Sequence, residues 1–267
     1  MSSLARQLSA QNLHWIVPDW AASPRVGALF TTRQGGASTG ATASMDVGPA
    51  VMSPADHAGA IGENRRRLRA FLPSDPVWLS QVHGHEIVEI DERNVGTART
   101  TPPQADAAVT RTPGIAVAVR TADCVPMLYA DRRGSVVAVA HAGWRGLAAG
   151  VLEATLAAMR VPADEIVAWS GPAIGPRAFE VGADVHAAFC SRHPDADRHF
   201  APLRDGKWLA DLPALARMRC AQCGVADVAG GEWCTFTDAQ RFFSWRRDRQ
   251  PGRMALVAWI ADGAGPV

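Results

Sequence analysis

Two residues in the middle of the chain carry side chains that combine in nucleophilic catalysis or in metal binding. Cys124 follows an apolar run in the segment TADCVP, and His141 ends the next strongly apolar run. The polar neighbours of Cys124 indicate a strand that leaves the core there, although a buried, packed thiol is the alternative. A thiolate beside an imidazole acts either as a Cys-His nucleophilic pair or as two ligands of one metal.

A third candidate, His83, lies in the segment LSQVHGH, which also contains His85. We expect only one of the two histidines to join a given site, and a hydrogen-bonded core or surface histidine is the alternative. With Cys124 and His141, His83 would complete a His/Cys set that zinc accepts. The fourth position would be left for water or substrate, as in catalytic zinc sites.

Arginines lie close in sequence to these candidates, and their planar guanidinium groups suit phosphate. The arginine that best fits this role is Arg145, which lies between glycines next to His141, whereas solvated surface arginines are the alternative for each. The arginines near the candidate segments are Arg33, Arg65, Arg120, Arg145 and Arg246. Of these, we expect Arg33, Arg65 and Arg145 to bind phosphate or substrate.

The remaining cysteine patterns predict no site. Cys220 and Cys223 have the CxxC spacing of a redox pair or of half a zinc site, but no second pair accompanies them at metal spacing. We therefore expect them to pack on a helix face. Cys234 is assigned no role.

Strands and glycine-rich turns are predicted around the candidate residues. Residues 26–33 form a strand that leads Arg33 into a glycine loop, and 77–82 form a short strand ending at His83. Apolar runs separated by the polar turn 131–134 predict a hairpin that ends at His141. We predict that its two strands bring Cys124 and His141 to the same sheet edge.

In the rest of the chain, segments whose apolar residues have helical spacing alternate with predicted strands. The pattern predicts one α/β domain with a mixed or antiparallel sheet. Predicted helices cover 53–72, 147–160, 184–190 and 211–223, and predicted strands cover 165–170 and 253–260.

Composition excludes several classes of protein. The chain has 267 residues, of which 48% are hydrophobic and 20% charged, as in a globular protein. The longest apolar runs are too short for a membrane span. A net charge of +1 without basic, aromatic-rich stretches argues against nucleic acid as a partner.

The cellular compartment is predicted from two features. The first ten residues lack the apolar stretch and cleavage site of a secretory signal. The five cysteines are an odd number without the spacing of a disulfide framework. We therefore expect a cytoplasmic protein with reduced thiols.

Taken together, several separate segments resemble the YfiH or laccase-domain family, also called polyphenol oxidase proteins and described as purine nucleoside phosphorylases. The resemblance covers residues 15–261 and predicts an N-terminal extension (1–14) before the domain (15–262). It depends on the order of the motifs TTRQGGAS, ENR, SQVHG, DA, TADCVP, HAGWRG, GPAIG and FSWRR.

The resemblance implies a fold, a cofactor and an activity. The fold would be a single-domain α/β sandwich with a mixed sheet, like the catalytic domain of a Cys-His deamidase toxin. Zinc would be bound by His83, Cys124 and His141, with copper as the other metal assigned to the family. The substrates would be phosphate and the purine nucleosides adenosine, inosine and S-methyl-5'-thioadenosine, with adenosine deamination as an accompanying reaction.

One position departs from the family pattern. Where the family usually has Ser-Leu-Asn-Leu-Gly, this chain has Ser-Met-Asp-Val-Gly, so Asp46 replaces an asparagine. A carboxylate that touched phosphate would weaken its binding.

Three other functions stay open from the sequence. In a metal-free Cys-His amidohydrolase, Cys124 would attack an amide and His141 would act as its base. The others are copper-dependent oxidation of phenols and a non-catalytic module that binds zinc and a nucleotide.

Overall fold

The hairpin predicted in the middle of the chain lies at the centre of the largest sheet. In a computed structural model, which describes residues 2–48 and 55–263, Val125–Asp131 pairs antiparallel with Val137–Ala142. The Asp131 carboxylate accepts hydrogen bonds from the backbone N–H groups of Ser135 and Val136, which closes the turn. The predicted hairpin is confirmed.

The described strands form three sheets, of which the two larger ones are mixed and the smallest is antiparallel. The strands are β1 (Val26–Phe30), β2 (Val77–Trp78), β3 (Ile87–Ile90), β4 (Ala107–Thr110), β5 (Val117–Thr121), β6 (Val125–Asp131), β7 (Val137–Ala142), β8 (Ile166–Ser170), β9 (Glu180–Gly182), β10 (Phe200–Arg204), β11 (Lys207–Ala210), β12 (Asp227–Gly230) and β13 (Met254–Ile260). The six-stranded sheet has the order β12-β8-β6-β7-β4-β3, the four-stranded sheet β1-β13-β5-β2, and the three-stranded sheet β10-β11-β9.

Most helices pack on the outer faces of the two large sheets, whereas α3 (Val95–Thr100) contributes Ala98 to the core between them. The helices are α1 (Ser3–Ala10), α2 (Ala55–Arg69), α3 (Val95–Thr100), α4 (Trp144–Ala149), α5 (Val151–Met159), α6 (Ala183–Cys190), α7 (Leu212–Gln222) and α8 (Trp245–Asp248). The predicted helices around 184–190 and 211–223 are confirmed. The helix predicted over 53–72 is present as α2, but its predicted start at 53–54 lies outside the described residues.

Side chains alternate between the two faces of each large sheet, and the two large sheets pack face to face as a sandwich. Successive side chains of a strand point to opposite faces, so Leu128 lies in the core between the two large sheets, whereas Met127 and Tyr129 lie under the helices. On the other side, Val257 of β13 packs with Leu68 of α2.

The α/β class with mixed sheets is confirmed, although there are several sheets rather than one. The likeness to a toxin stays a prediction.

The N-terminal helix packs against the rest of the molecule. Leu4 and Leu8 of α1 are buried in the same cluster as Trp15 and Phe71. Burying such side chains stabilises by roughly 1.5–3 kcal/mol each. The division into an extension (1–14) and a domain (15–262) stays a prediction.

Two predicted elements differ from the observed ones. The strand predicted over 77–82 ends at Trp78, and His83 lies in a loop with φ of +61°. The helix predicted over 147–160 begins earlier and is divided into α4 and α5 by Gly150, whose φ of +100° no regular helix contains. In both places a local backbone turn overrides the apolar pattern.

Candidate metal centre

Cys124 lies where the chain passes from one large sheet to the other. Strand β5 ends three residues before it in the four-stranded sheet, and β6 begins directly after it in the six-stranded sheet. The preceding residue, Asp123, has φ of +94° and is buried. Its carboxylate accepts hydrogen bonds from the hydroxyls of Thr235 and Ser244 and from the N–H of Arg246. Asp123 therefore fixes the turn that presents the thiol.

His141 is the second-last residue of β7, and a buried carboxylate holds its side chain. Its side chain is 4% exposed, and its Nδ1 lies 2.8 Å from Oδ1 of Asp106, which has no exposed surface. Its backbone N–H also donates to the carbonyl of Asp106. With Nδ1–H donating to the carboxylate, Nε2 is left to face Cys124 and His83.

The same carboxylate shapes the loop that carries His83. Asp106 accepts the backbone N–H groups of Val82, His83 and Gly84 at distances of 3.1, 3.0 and 2.7 Å. Three such bonds stabilise a loop conformation with positive φ that a histidine rarely adopts. Sequence reasoning gave Asp106 no role, since it appears there only within a family motif.

The three candidate donors converge. The Sγ of Cys124 lies 3.8 Å from Nε2 of His83, and the donor atoms of His83, Cys124 and His141 all lie within 4.8 Å of one another. The His83 and His141 rings meet edge to face, with centroids 4.8 Å apart. By contrast, His85 is exposed and lies near Glu86. The structure thus brings together three residues that are 17 to 58 positions apart in sequence.

Close backbone packing keeps the donors together. A Cβ on Gly143 would lie 2.8 Å from Cδ2 of His83 and 3.0 Å from Sγ of Cys124. A Cβ on Gly146 would lie 2.6 Å from the carbonyl oxygen of Gly84. Both glycines of the HAGWRG segment are therefore needed for the approach of α4 to the His83 loop.

The electrostatics of the group favour a charged thiolate. Burial raises the pKa of the Cys124 thiol, but the charge and hydrogen bond of His141, together with His83, outweigh burial and lower this pKa to about 6. Burial lowers the pKa of His141, yet Cys124 and Asp106 outweigh it and raise this pKa. Both shifts favour the thiolate–imidazolium form of the pair when no metal competes for the two side chains.

The donor set fits a transition metal such as zinc or copper. Two imidazole nitrogens and one thiolate are borderline and soft ligands, and neighbouring ligands of a tetrahedral zinc are about 3.5 Å apart. The 3.8 Å separation of Cys124 and His83 agrees with that value. Three protein ligands leave a fourth position, and the exposure of His83 places that opening toward solvent.

Comparison with known proteins identifies the family. Residues 27–261 match the model described as multi-copper polyphenol oxidoreductase laccase. A purine nucleoside phosphorylase of Pseudomonas aeruginosa is 48% identical over 249 residues, covering 93% of this chain and 99% of the relative. The purine nucleoside phosphorylase YfiH of Escherichia coli is 46% identical over 247 residues, covering 92% and 98%.

This chain belongs to the YfiH/laccase-domain family. The crystal structure of a Neisseria meningitidis protein agrees, with a TM-score of 0.86 and 44% identity over 93% of this chain and 99% of that one. That of a YfiH protein of Bacillus licheniformis has a TM-score of 0.80 at 27% identity, covering 88% and 93%. No helix within residues 2–48 and 55–263 is long and apolar enough to cross a bilayer.

In this YfiH family member, the three arginines predicted to bind phosphate have different surroundings. Arg145 is exposed, next to the metal group in sequence, with its guanidinium 4.5 Å from the ring of Trp144. Arg65 donates Nε to the carbonyl of Val47 and lies over Trp78. Arg33, by contrast, donates from all three nitrogens to the carbonyls of Ala43 and Ala239. Its guanidinium therefore has little capacity left for an anion.

A further group of arginines surrounds Asp46. Arg120 is partly buried, and this burial together with the charges of Arg65 and Arg253 lowers its pKa to about 10. Burial also lowers the pKa of Arg65 and that of Arg253, and Asp46 opposes both shifts. Arg253 was not expected from the sequence. It lies directly before β13, which pairs with the strand that carries Arg120.

The structure explains how Asp46 replaces the family's asparagine. Its Oδ1 accepts hydrogen bonds from the backbone N–H groups of Gly48 and Arg253, at 2.9 and 2.8 Å. An asparagine oxygen would accept the same two bonds. The replacement therefore keeps the local structure and adds a negative charge among the arginines.

The three cysteines of the C-terminal part, Cys220, Cys223 and Cys234, pack against or hydrogen-bond to neighbouring structural elements. Cys220 is buried in the core beneath the helices, where its sulfur lies 3.3 Å from the hydroxyl of Tyr129. Cys223 packs against the same core at the end of α7. Cys234 accepts the backbone N–H of Gly175. The packing role predicted for the CxxC pair agrees with these contacts.

Proposed function

We propose that the chain is a zinc-dependent purine nucleoside phosphorylase acting on adenosine, inosine and S-methyl-5'-thioadenosine, with adenosine deamination at the same site. The observation that carries the proposal is the convergence of His83, Cys124 and His141 within 4.8 Å. The names of the relatives from Pseudomonas aeruginosa and Escherichia coli support the reaction.

In this proposal His83, Cys124 and His141 hold the ion. Zinc would supply Lewis acidity at the open side of the group. Asp106 keeps the proton on Nδ1 of His141 and thereby directs Nε2 into the group. The loop of His83 is fixed by the same carboxylate, so one buried residue orients two of the three ligands.

Phosphate binding is assigned to Arg145 and Arg65. Arg145 is exposed and comes shortly after His141 in the sequence, while Arg65 belongs to the arginine group around Asp46. Arg33 orders the glycine loop through its carbonyl contacts rather than binding the anion directly. Positioned in this way, a phosphate oxygen forms a bond to C1' of the ribose while the bond from C1' to the purine breaks.

Product analysis tests the proposal. Purified protein is incubated with adenosine, with and without phosphate, and the products are separated by chromatography. We expect adenine and ribose 1-phosphate only when phosphate is present, and inosine in either case. Cys124→Ser should abolish both reactions, whereas Cys223→Ser, which alters a half-buried thiol outside the group, should keep them. Neither ribose 1-phosphate nor inosine from the unaltered protein would contradict the proposal.

A Cys-His amidohydrolase is the second candidate. It is favoured by the lowered pKa of Cys124 and the raised pKa of His141, which are typical of a nucleophilic pair. Metal analysis and thiol alkylation distinguish the two functions. Protein without stoichiometric zinc that hydrolyses an amide and loses this activity on alkylation would establish the amidohydrolase.

The family description also names copper, and a non-catalytic role is the remaining alternative. The group of His83, Cys124 and His141 offers three donors and could hold one ion, which is too few for the multinuclear copper cluster that phenol oxidation requires. A module that only binds zinc and a nucleotide would show ligand-induced thermal stabilisation without turnover.

A further inference from the structure

A second group of metal-binding side chains lies outside the candidate active site. His186 and Cys190 are four residues apart on α6, so their side chains share one face of the helix. The chain then turns, and the 3-10 helix Pro194–His199 brings Asp197 back to that face. The donor atoms of these three residues all lie within 4.8 Å of one another.

His186 contacts a thiol as well as the carboxylate with which it forms an ion pair. Nε2 of His186 lies 2.8 Å from Oδ1 of Asp197 and 3.6 Å from Sγ of Cys190. The carboxylate and the thiol thus both approach the same imidazole nitrogen at hydrogen-bond distance. An imidazole nitrogen, a thiol sulfur and a carboxylate oxygen that lie within 4.8 Å of one another are close enough to bind one metal ion.

Aromatic side chains hold the imidazole in place. The ring of His186 stacks on Trp208 of β11, with centroids 4.5 Å apart and an angle of 17°. It also meets the edge of Phe200, with centroids 5.0 Å apart. Because the ring is packed on two sides, Nε2 stays directed toward Cys190 and Asp197, which lowers the ordering cost of binding an ion.

The donor set selects the ion. Imidazole, thiolate and carboxylate together suit zinc, whereas calcium and magnesium prefer oxygen ligands alone. The 3.6 Å between Cys190 and His186 matches the roughly 3.5 Å between zinc ligands. Asp197, with its side chain 72% exposed, is free to retreat from hydrogen-bond distance to coordination distance.

We infer that His186, Cys190 and Asp197 form a second zinc site, with water as the fourth ligand. The ion ties α6 to the segment Pro194–His199, which leads directly into β10. Its role is to stabilise this part of the molecule. The inference is independent of the proposed phosphorylase activity, since none of its residues belongs to the group around Cys124.

Zinc stoichiometry tests the inference. Full-length protein without a polyhistidine tag is stripped with a chelator, titrated with zinc and weighed by native mass spectrometry. We expect two zinc ions per chain, one in Cys190→Ser, one in Cys124→Ser and two in the control Cys223→Ser. Two ions retained by Cys190→Ser would overturn the second site, as would a single ion in the unaltered chain that is lost only in Cys124→Ser.

The same titration separates this site from the proposed active site. A single ion that is lost in Cys190→Ser and kept in Cys124→Ser would support the second site and remove the first. Cobalt gives an independent measure, because a bound thiolate adds a charge-transfer band in the near ultraviolet. The band should persist in Cys124→Ser and disappear when Cys190→Ser is added, while an unchanged band in the double variant would contradict the inference.

Thermal unfolding measures the consequence for stability. Zinc that binds the folded state should raise the Tm of the unaltered protein and of Cys124→Ser. Asp197→Asn, an exposed and nearly isosteric change, should reduce the increase that zinc produces in the Cys124→Ser background. An equal increase with and without Asp197 would show that this carboxylate is not a ligand.

Discussion

Oδ1 of Asp106 lies 2.8 Å from Nδ1 of His141, and both side chains are almost completely buried. The same carboxylate accepts three backbone N–H groups around His83. A single side chain thus orients two of the three residues of the candidate metal centre. Its removal is therefore the sharpest test of how the centre is organised.

Asp106→Asn should weaken zinc binding. Partners that orient metal ligands typically contribute roughly 10- to 100-fold in metal affinity or activity. We expect a loss of that size, measured by competition with a chromogenic chelator. The matched control is Asp131→Asn, which alters another fully buried carboxylate that closes the β6–β7 turn. The control should lower the Tm but leave zinc affinity unchanged, so equal affinity losses in both variants would contradict the orienting role.

Gly143→Ala should disturb the centre through steric contact. The added methyl would lie 2.8 Å from His83 and 3.0 Å from Cys124, so at least one ligand must move. We expect a fall in both zinc affinity and kcat/KM. Gly96→Ala, in the exposed helix α3 with no atom within 4 Å of the added Cβ, should be neutral or slightly stabilising. Full activity in Gly143→Ala would show that the packing there is not required.

Thiol alkylation should reveal the lowered pKa of Cys124. The folded pKa of about 6 lies below that of a free thiol, so the reactive thiolate is populated from pH 6 upward and is lost as the pH falls through 6. In chelator-treated protein, the rate of Cys124 alkylation against pH should have its midpoint near 6. Added zinc should protect the thiol. A midpoint near the ordinary value of about 8.5 would contradict the interaction with His141.

Asp46→Asn should improve phosphate binding. The two backbone hydrogen bonds to Oδ1 are kept by asparagine, and only the negative charge among Arg65, Arg120 and Arg253 is removed. Removing a repulsion on the order of 1 kcal/mol lowers the KM for phosphate roughly five-fold. Steady-state kinetics with varied phosphate measure the change, and a Tm confirms the fold. An unchanged phosphate KM would show that this arginine group does not bind the anion.

Local patterns predicted the central part of the fold. The β6–β7 hairpin, β8, β13, α6 and α7 were expected, because their apolar spacing is regular and their turns contain glycine or polar residues. Strands β9 to β12 and the helix α3 are among the elements that were not expected. They are short or half exposed, so hydrogen bonds to neighbouring strands stabilise them more than apolar periodicity does.

The side chains of the site were predicted more completely than the means by which they are positioned. His83, Cys124 and His141 are recognisable by residue type and by family motif. The prediction that a strand positions His83 was wrong. Three hydrogen bonds to Asp106 instead shape a loop in which His83 has a positive φ. Contacts between residues 20 or more positions apart leave no periodic signal in the sequence.

The sequence by itself determined the α/β class, the family and the types of the three candidate ligands, since these follow from local spacing and motif order. Only the tertiary structure decided that Asp106 orients two of them, that Arg33 binds carbonyls, and that Arg253 joins Arg65 and Arg120 around Asp46. The physical reason is that hydrogen bonds and charges act over a few ångströms in space. Which residues come that close is decided by the packing of the two sheets.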